Sequence, residues 1–354
     1  MDAIACEKQF IDHLAPIWRA LPQRGRFLTN LPHRALDRKI EPELIDIDAI
    51  KRKQPLPPKA RPGDGPIALT ASVGDIKLGR RLGYRKFIFI EHGAGQSYAG
   101  ERGIAAKHPS YPGGMDREDV GLFLCPNEYS AEPWRTNYPH ARVEVVGSPR
   151  LNDLPARDTA PDDQVVAISF HWPAFVCPES DTALGHYMKS LAGLADTFNG
   201  KSLAGLANNV IGHAHPKGDW PQRMKRIYDR VGIEFVRDFD EVCRRADVYV
   251  CDNSSTIFEF AATGRPVVVL NSPKYRRNVH HGGRFWDWAT VGVQVDEPSE
   301  LVAGIQEALA DAPERRAERE RVVSQVYAYR GAEATQRAVG AILDWLGAKE
   351  EVAA

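Results

Sequence analysis

The chain has 354 residues, 43% hydrophobic and 26% charged, with a formal net charge of −1. That is an ordinary soluble composition; it argues against a generic nucleic-acid coat, and the length exceeds what one compact core fills, so two domains are expected. No apolar run approaches the roughly 20 residues of a membrane span, and the amino terminus MDAIACEKQF has no basic region followed by an apolar one, so a cytoplasmic location is expected. The five cysteines (Cys6, Cys125, Cys177, Cys243, Cys251) are odd in number and never spaced C-x-x-C, which suggests neither a disulfide framework nor a zinc site. Cys251 lies in an apolar run and reads as a small buried hydrophobe.

Along the chain, residues 5–20 read as a helix and the proline-rich basic stretch 51–66 as a loop. Strands follow at 67–70 and 86–90 around a helix at 75–82, then at 122–125 and 143–146 around a helix at 132–137. Residues 152–164, rich in Pro and Asp, read as an interdomain linker. Beyond it, strands at 165–170, 210–215, 234–237, 248–251 and 267–270 alternate with helices at 184–198, 222–231, 241–246 and 256–262, and helices close the chain at 299–310, 315–329 and 333–346. Strand alternating with helix implies parallel sheets. The expected architecture is α/β, with two doubly wound, Rossmann-like domains facing a cleft: an acceptor-side domain at 1–151, the linker, a donor-binding domain at 165–330, and a last helix at 331–354 packing back on the first domain. Residues 1–107 carry 19 Lys and Arg against 12 Asp and Glu, and the remainder 27 against 35. Clusters such as Lys51-Arg52-Lys53 and Arg80-Arg81 would thus give the first half a positive surface suited to an anionic partner.

In such sheets ligands bind beyond the carboxyl ends of strands, so the residues that follow strands carry the functional signal. Glu91-His92-Gly93-Ala94-Gly95-Gln96-Ser97 follows one strand; its glycines permit close backbone approach, and His92 is a candidate general base, oriented by Glu91. His213-Ala214-His215-Pro216-Lys217 follows another. Without a third ligand of diagnostic spacing it suits a phosphate better than a metal, with His215 and Lys217 opposing a departing diphosphate. The third stretch, Asp252-Asn253-Ser254-Ser255-Thr256, opens a helix whose unpaired N–H groups and dipole favour an anion, and Glu259 shares a helix face with Ser255. The bland reading of these residues is an ordinary N-cap and a solvent-facing glutamate. Trp286 and Trp288 read as loop anchors to the core, the other reading being a platform for a sugar or base.

Taken in order, EHG at 91–93, VVGSPRLNDLP at 145–155, HPK at 215–217 and CDNSSTIFEFAATGRPVVV at 251–269 resemble the CDP-glycerol glycerophosphotransferase family, whose members share the two-domain GT-B glycosyltransferase fold. The resemblance covers residues 86–275. It implies His92 as a catalytic or acceptor-side histidine, His215 as a contact to the donor pyrophosphate, and Ser254, Ser255 and Glu259 as donor-binding groups. Gly147, Pro149 and Arg150 match the family's junction segment. The chain departs from the pattern at Asn253, where the family has tyrosine, and in the Gly-Ala-Gly-Gln-Ser-Tyr loop that replaces the usual Gly-Thr and its basic continuation.

The reading that follows is a metal-independent, inverting GT-B transferase that moves a sugar from a nucleotide-diphosphate donor to a hydroxyl acceptor, with no cofactor besides the donor. Modified DNA, a phosphorylated glycan or an acidic protein would each suit the basic first half as acceptor. Alternatives are polyol-phosphate transfer from a CDP-linked donor, a UDP-GlcNAc 2-epimerase-like isomerase, and a noncatalytic nucleotide-sugar-binding module.

Overall fold

The computed structural model describes residues 1–53, 65–94, 117–158, 164–173, 181–199, 209–273 and 288–347. Two parallel sheets organise the chain. The first contains β1 (Asp2–Ile4), β2 (Phe27–Thr29), β3 (Glu43–Leu44), β4 (Ile67–Thr70), β5 (Lys86–Ile90), β6 (Val120–Cys125) and β7 (Arg142–Val145) in the order β3-β2-β1-β4-β5-β6-β7. The second contains β8 (Val165–Phe170), β9 (Asn209–Ala214), β10 (Glu234–Phe235), β11 (Val248–Cys251), β12 (Val267–Leu270) and β13 (Val293–Val295) in the order β10-β9-β8-β11-β12-β13. Each order runs outward from a first strand, reverses, and continues on its other side. The topological switch points therefore lie between β1 and β4 and between β8 and β11.

The central strands are apolar throughout because helices cover both faces of each sheet: every residue of β6, β8, β11 and β12 is buried. Against the first sheet pack α1 (Lys8–Ala20), α2 (Pro32–Asp37), α3 (Ile47–Lys53), α4 (Val73–Arg81) and α5 (Glu128–Asn137). The second sheet carries α6 (Leu184–Asn199), α7 (Trp220–Arg230), α8 (Phe239–Arg245), α9 (Thr256–Ala261), α10 (Leu301–Ala310) and α11 (Pro313–Val326). The last helix, α12 (Gly331–Trp345), returns to the first sheet, where Ala338 and Ile342 join the core that holds Ile11, Leu14, Leu122 and Leu124. Gly121 makes room for it, since a Cβ there would lie 2.3 Å from the Trp345 ring.

The two crossings between the sheets run side by side. Ser148 N–H donates to the Tyr329 carbonyl (3.1 Å), and Ser148 bridges to Arg330. Gly147 is required at this junction: its φ is +78°, and a Cβ would sit 2.0 Å from the Tyr329 carbonyl oxygen. Pro149 opens a short 3₁₀ turn (Pro149–Asp153) that drives Arg150 inward.

Several expectations change. The helix expected over 5–20 begins at Lys8, because residues 2–4 are spent on β1; β1, β2, β3 and β13 are two or three residues long, too short for an alternation pattern to emerge. Arg80, expected on a basic surface, is buried, with Nε and Nη2 donating to the Asp119 carboxylate at 2.5 and 2.6 Å. No helix among the described residues is long and apolar enough to cross a membrane.

Candidate functional site

A cavity of about 330 Å³ lies between the two sheets. Chain topology explains why chemistry collects there, for the segments past β1, β5, β8, β9 and β11 all open onto it: Glu7 and Lys8, Glu91 and His92, His171 and Trp172, His215 and Lys217, Ser254 and Ser255. Helix α1 adds Phe10, Asp12 and His13, and the β6 side adds Arg117 and Trp134.

His92 stands on the first-domain wall, its ring 4.7 Å from Phe10 and 6.0 Å from His13. Its Nδ1 is buried and has no hydrogen-bond partner among the described residues. Burial lowers the His92 pKa to about 4, partly offset by the Ala71 carbonyl, and among the carboxylates Glu7 acts on it most. The expected Glu91–His92 dyad is not what the structure builds. Glu91 Oε2 instead accepts from Trp134 Nε1 at 3.1 Å, because Glu91 leaves the strand end toward α5. Gly93 lines the cavity, and a Cβ on it would meet nothing within 4 Å among the described residues. Gly95, Gln96 and Ser97 lie outside the described residues.

On the opposite wall, the Lys217 backbone N–H donates to His215 Nδ1 at 3.2 Å, so the neutral ring carries its proton on Nε2. Burial first, and then His171 and His213, holds the His215 pKa well below its ordinary value. The ring is thus held toward its neutral form, with Nε2 the nitrogen that can donate into the cavity. His171 approaches to 5.0 Å between ring centroids. His213 points Nδ1 at the Val236 carbonyl (2.9 Å) and is held by burial near pKa 4. Lys217 is exposed, and its Nζ meets Glu7 across the cleft at 3.6 Å.

Neutrality of these rings is directly measurable. In a histidine NMR titration of the folded protein, His92 and His213 should not titrate between about pH 5.5 and 8. Unfolded histidines take up protons near 6.5 whereas these two do so only near 4, so their contribution to stability is present above 6.5 and is lost as the pH falls toward 4.

The third stretch divides. Ser254, Ser255 and Thr256 line the cavity, whereas Asp252 and Asn253 do not. Asp252 is fully buried and accepts from the backbone N–H of His171 (2.7 Å) and Ala183 (2.8 Å), tying the end of β11 to the segment after β8; it braces the site instead of touching a ligand. Helix α9 has only six residues and Ser255 makes no side-chain cap, so the hydroxyls, more than a long dipole, are what this stretch offers an anion.

Glu259 is buried and lines the cavity, which overturns the reading of it as a solvent-facing residue. Burial raises its pKa to about 7 against the pull of Arg150, whose Nε is 3.9 Å away; His13 lies equally far on its other side. Arg150 is the hub. It bonds Asp240, stands 4.0 Å from Asp12, and keeps Nη1 buried with no hydrogen-bond partner among the described residues. Around it Arg34 pairs with Asp12 (2.5 Å) and Asp238 (3.0 Å), Lys8 pairs with Asp238 (2.7 Å), and Arg38 pairs with Asp240. These pairs join α1 and α2 to α8 and so fasten the two domains together at the back of the cavity. Although burial opposes it, Lys8 and Arg34 hold the Asp238 carboxyl at about 2.

Sequence reasoning missed Arg117, whose guanidinium lies 5.1 Å from the ring centroids of both Phe89 and Trp134. It also missed His13, His171 and Trp172. The pair after β8 was findable, because it follows a strand as His92 and His215 do; nothing in helix α1 marks His13. Trp288 is 8% exposed and packs edge-on against Tyr129, which makes it a core anchor and not a ligand platform, and Trp286 lies outside the described residues. Among the described residues no group of three or more His, Cys, Asp and Glu is arranged to hold a metal.

Comparison with known proteins is informative over the last part of the chain. Residues 200–344 match the family model described as CDP-Glycerol:Poly(glycerophosphate) glycerophosphotransferase. The match takes in the HPK and CDNSSTIFEFAATGRPVVV motifs; EHG and VVGSPRLNDLP lie before it. No curated protein matches the chain in sequence. Among solved structures, the wall teichoic acid polymerase TagF superposes with a TM-score of 0.64 at 13% identity, over 99% of this chain and 90% of that one. UDP-GlcNAc 2-epimerase from Neisseria meningitidis bound to UDP-GlcNAc gives 0.59 at 13%, over 97% and 100%, and the calicheamicin glycosyltransferase CalG4 gives 0.54 at 15%, over 100% and 99%. The fold is GT-B, and the family match supports a transferase that uses a nucleotide-linked donor.

Proposed function

We propose that this chain transfers a glycosyl group from a nucleoside-diphosphate donor to a hydroxyl acceptor, without a metal and with inversion. The observation that carries the reading is the convergence of strand ends from both sheets on one cavity, with neutral histidines on facing walls and hydroxyls at the second switch point. Ser254, Ser255 and His215 Nε2 would donate to the diphosphate, with Lys217 released from Glu7 to oppose its charge. The acceptor would enter along the first-domain wall past Arg117 and Trp134. Its oxygen loses a proton to His92, the new C–O bond forms at the anomeric carbon, and the bond from that carbon to the phosphate oxygen breaks, its electron pair leaving with the nucleoside diphosphate. A neutral His92 keeps a lone pair for this purpose, and anionic substrates raise its pKa toward the working range.

Polyol-phosphate transfer is the second reading, favoured by the family match over the donor-side domain. There the acceptor oxygen attacks the distal phosphorus and a nucleoside monophosphate leaves, so the leaving group separates the two. The same family match weighs against an isomerase, although epimerases share the fold.

The test is a thermal-shift screen of the full chain against UDP, CDP, GDP and ADP and their sugar and glycerol conjugates, with and without EDTA. A rise in Tm with one nucleotide class that survives EDTA is the expected result. No rise with any of them would remove the donor-site reading and leave the noncatalytic module without its ligand too.

A further inference from the structure

Behind the cavity a chain of hydroxyls runs into the core of the second domain. Tyr249, on β11, is fully buried, with its ring packed against Phe239 and Phe260. Its phenol oxygen lies 3.0 Å from Thr256 Oγ1, and Thr256 Oγ1 lies 2.8 Å from Ser254 Oγ, which the Thr256 backbone N–H also approaches at 3.4 Å. Ser169, on the neighbouring strand β8, bonds the same phenol. Of these groups only Ser254 and Thr256 line the cavity.

Each hydroxyl has one proton to give, and the spacings by themselves let the protons run along the chain in either sense, so donor strength decides the direction. A phenol is a stronger donor than an aliphatic alcohol, and the Cys251 sulfur that it also meets is a weaker acceptor than a hydroxyl oxygen, so the direction assigned is from Tyr249 to Thr256 Oγ1. Thr256, its oxygen occupied, donates to Ser254 Oγ. Ser254 Oγ then accepts from the Thr256 hydroxyl and from the Thr256 amide, and its own proton is left to point into the cavity. Hydrogen bonds in series polarise one another, so the last O–H is a better donor than an isolated serine.

We propose that Tyr249 and Thr256 are positioning residues that commit the Ser254 hydroxyl to donate, so that this part of the cavity selects a ligand atom that only accepts hydrogen bonds, such as a phosphate oxygen. The inference rests on the donor-site reading above and adds the residues that give the site its preference for phosphate over a hydroxyl-bearing group.

The test compares the affinity of the full-length wild type, Tyr249→Phe, Thr256→Ser and Thr256→Val for UDP, CDP, GDP and ADP and for the corresponding nucleosides. Tyr249→Phe keeps the packed ring and removes the first proton of the chain. It should weaken the bound diphosphate by about 3- to 10-fold, the range of one hydrogen bond, and leave nucleoside affinity unchanged. Thr256→Val should do the same at least as strongly, and Thr256→Ser should retain wild-type affinity. A wild type that binds the diphosphate together with a Tyr249→Phe that binds it equally well would overturn the relay. So would a Tyr249→Phe that weakens diphosphate and nucleoside alike, since that is the signature of a merely structural role. Failure of the wild type to bind any diphosphate would instead remove the donor-site reading beneath it.

Discussion

Replacing His92 with alanine is expected to lower kcat by about 10²–10⁴ while leaving donor affinity within roughly twofold of wild type. The reason is position. His92 lies past β5 on the first-domain wall, whereas the groups assigned to the diphosphate lie past β9 and β11 on the other. On the proposed reading the residue meets the acceptor proton and not the nucleotide. His92→Gln separates a proton acceptor from a hydrogen-bonding spacer and should be as impaired as alanine. Product formation from a nucleotide-linked donor, read beside the Kd of the free nucleoside diphosphate, checks both halves. Retained kcat in either variant would move the base elsewhere on this wall, where His13 places a second imidazole 6.0 Å from His92.

Arg150→Met should destabilise the protein by about 3–5 kcal/mol, the range for removing one partner of a buried ionic network. Its guanidinium is 3% exposed and stands among Asp12, Asp240 and Glu259, so the variant leaves three carboxylates facing one another. The midpoint of urea unfolding reports the loss. Its pH dependence follows from Glu259. Burial already raises that carboxyl to about 7, above its ordinary 4.5, and Arg150 is the main group pulling it down. A carboxyl that binds its proton more tightly when folded favours the native state at low pH and loses that contribution as the pH rises through the folded value. The deficit of Arg150→Met should therefore be smaller at pH 6 than at pH 8. A deficit that does not change with pH would mean that Glu259 is not part of the network.

Apolar runs carried most of the fold. The strands at 67–70, 86–90, 122–125, 165–170, 248–251 and 267–270 are central, covered on both faces, and so read as continuous hydrophobic stretches wherever they fall. The edge strands β3 and β13 have two and three residues and carry no such signal, whereas the equally short β10 falls within the strand read at 234–237. The rule that ligands gather past strand ends found His92, His215 and Ser254. It failed for Asp252, which also follows a strand but turns its carboxylate onto two backbone N–H groups. Sequence spacing cannot tell a brace from a contact when both sit in one turn. Glu259, placed by the resemblance among the donor-binding groups, does line the cavity, and only the bland reading of it as solvent-facing fails. The ionic hub around Arg150 draws on residues 12, 34, 38, 238 and 240, and no local pattern links positions that far apart.

The central claim is that a nucleoside diphosphate sits between the two domains with its phosphates on the second. A crystal structure of the complex, grown with the nucleotide that gives the largest thermal shift, tests it most directly. Phosphate oxygens within hydrogen-bonding distance of Ser254 Oγ and His215 Nε2, with the His92 wall left open for an acceptor, is the predicted result. A nucleotide bound outside this cavity, or one whose phosphates rest on the His92 wall, would contradict it.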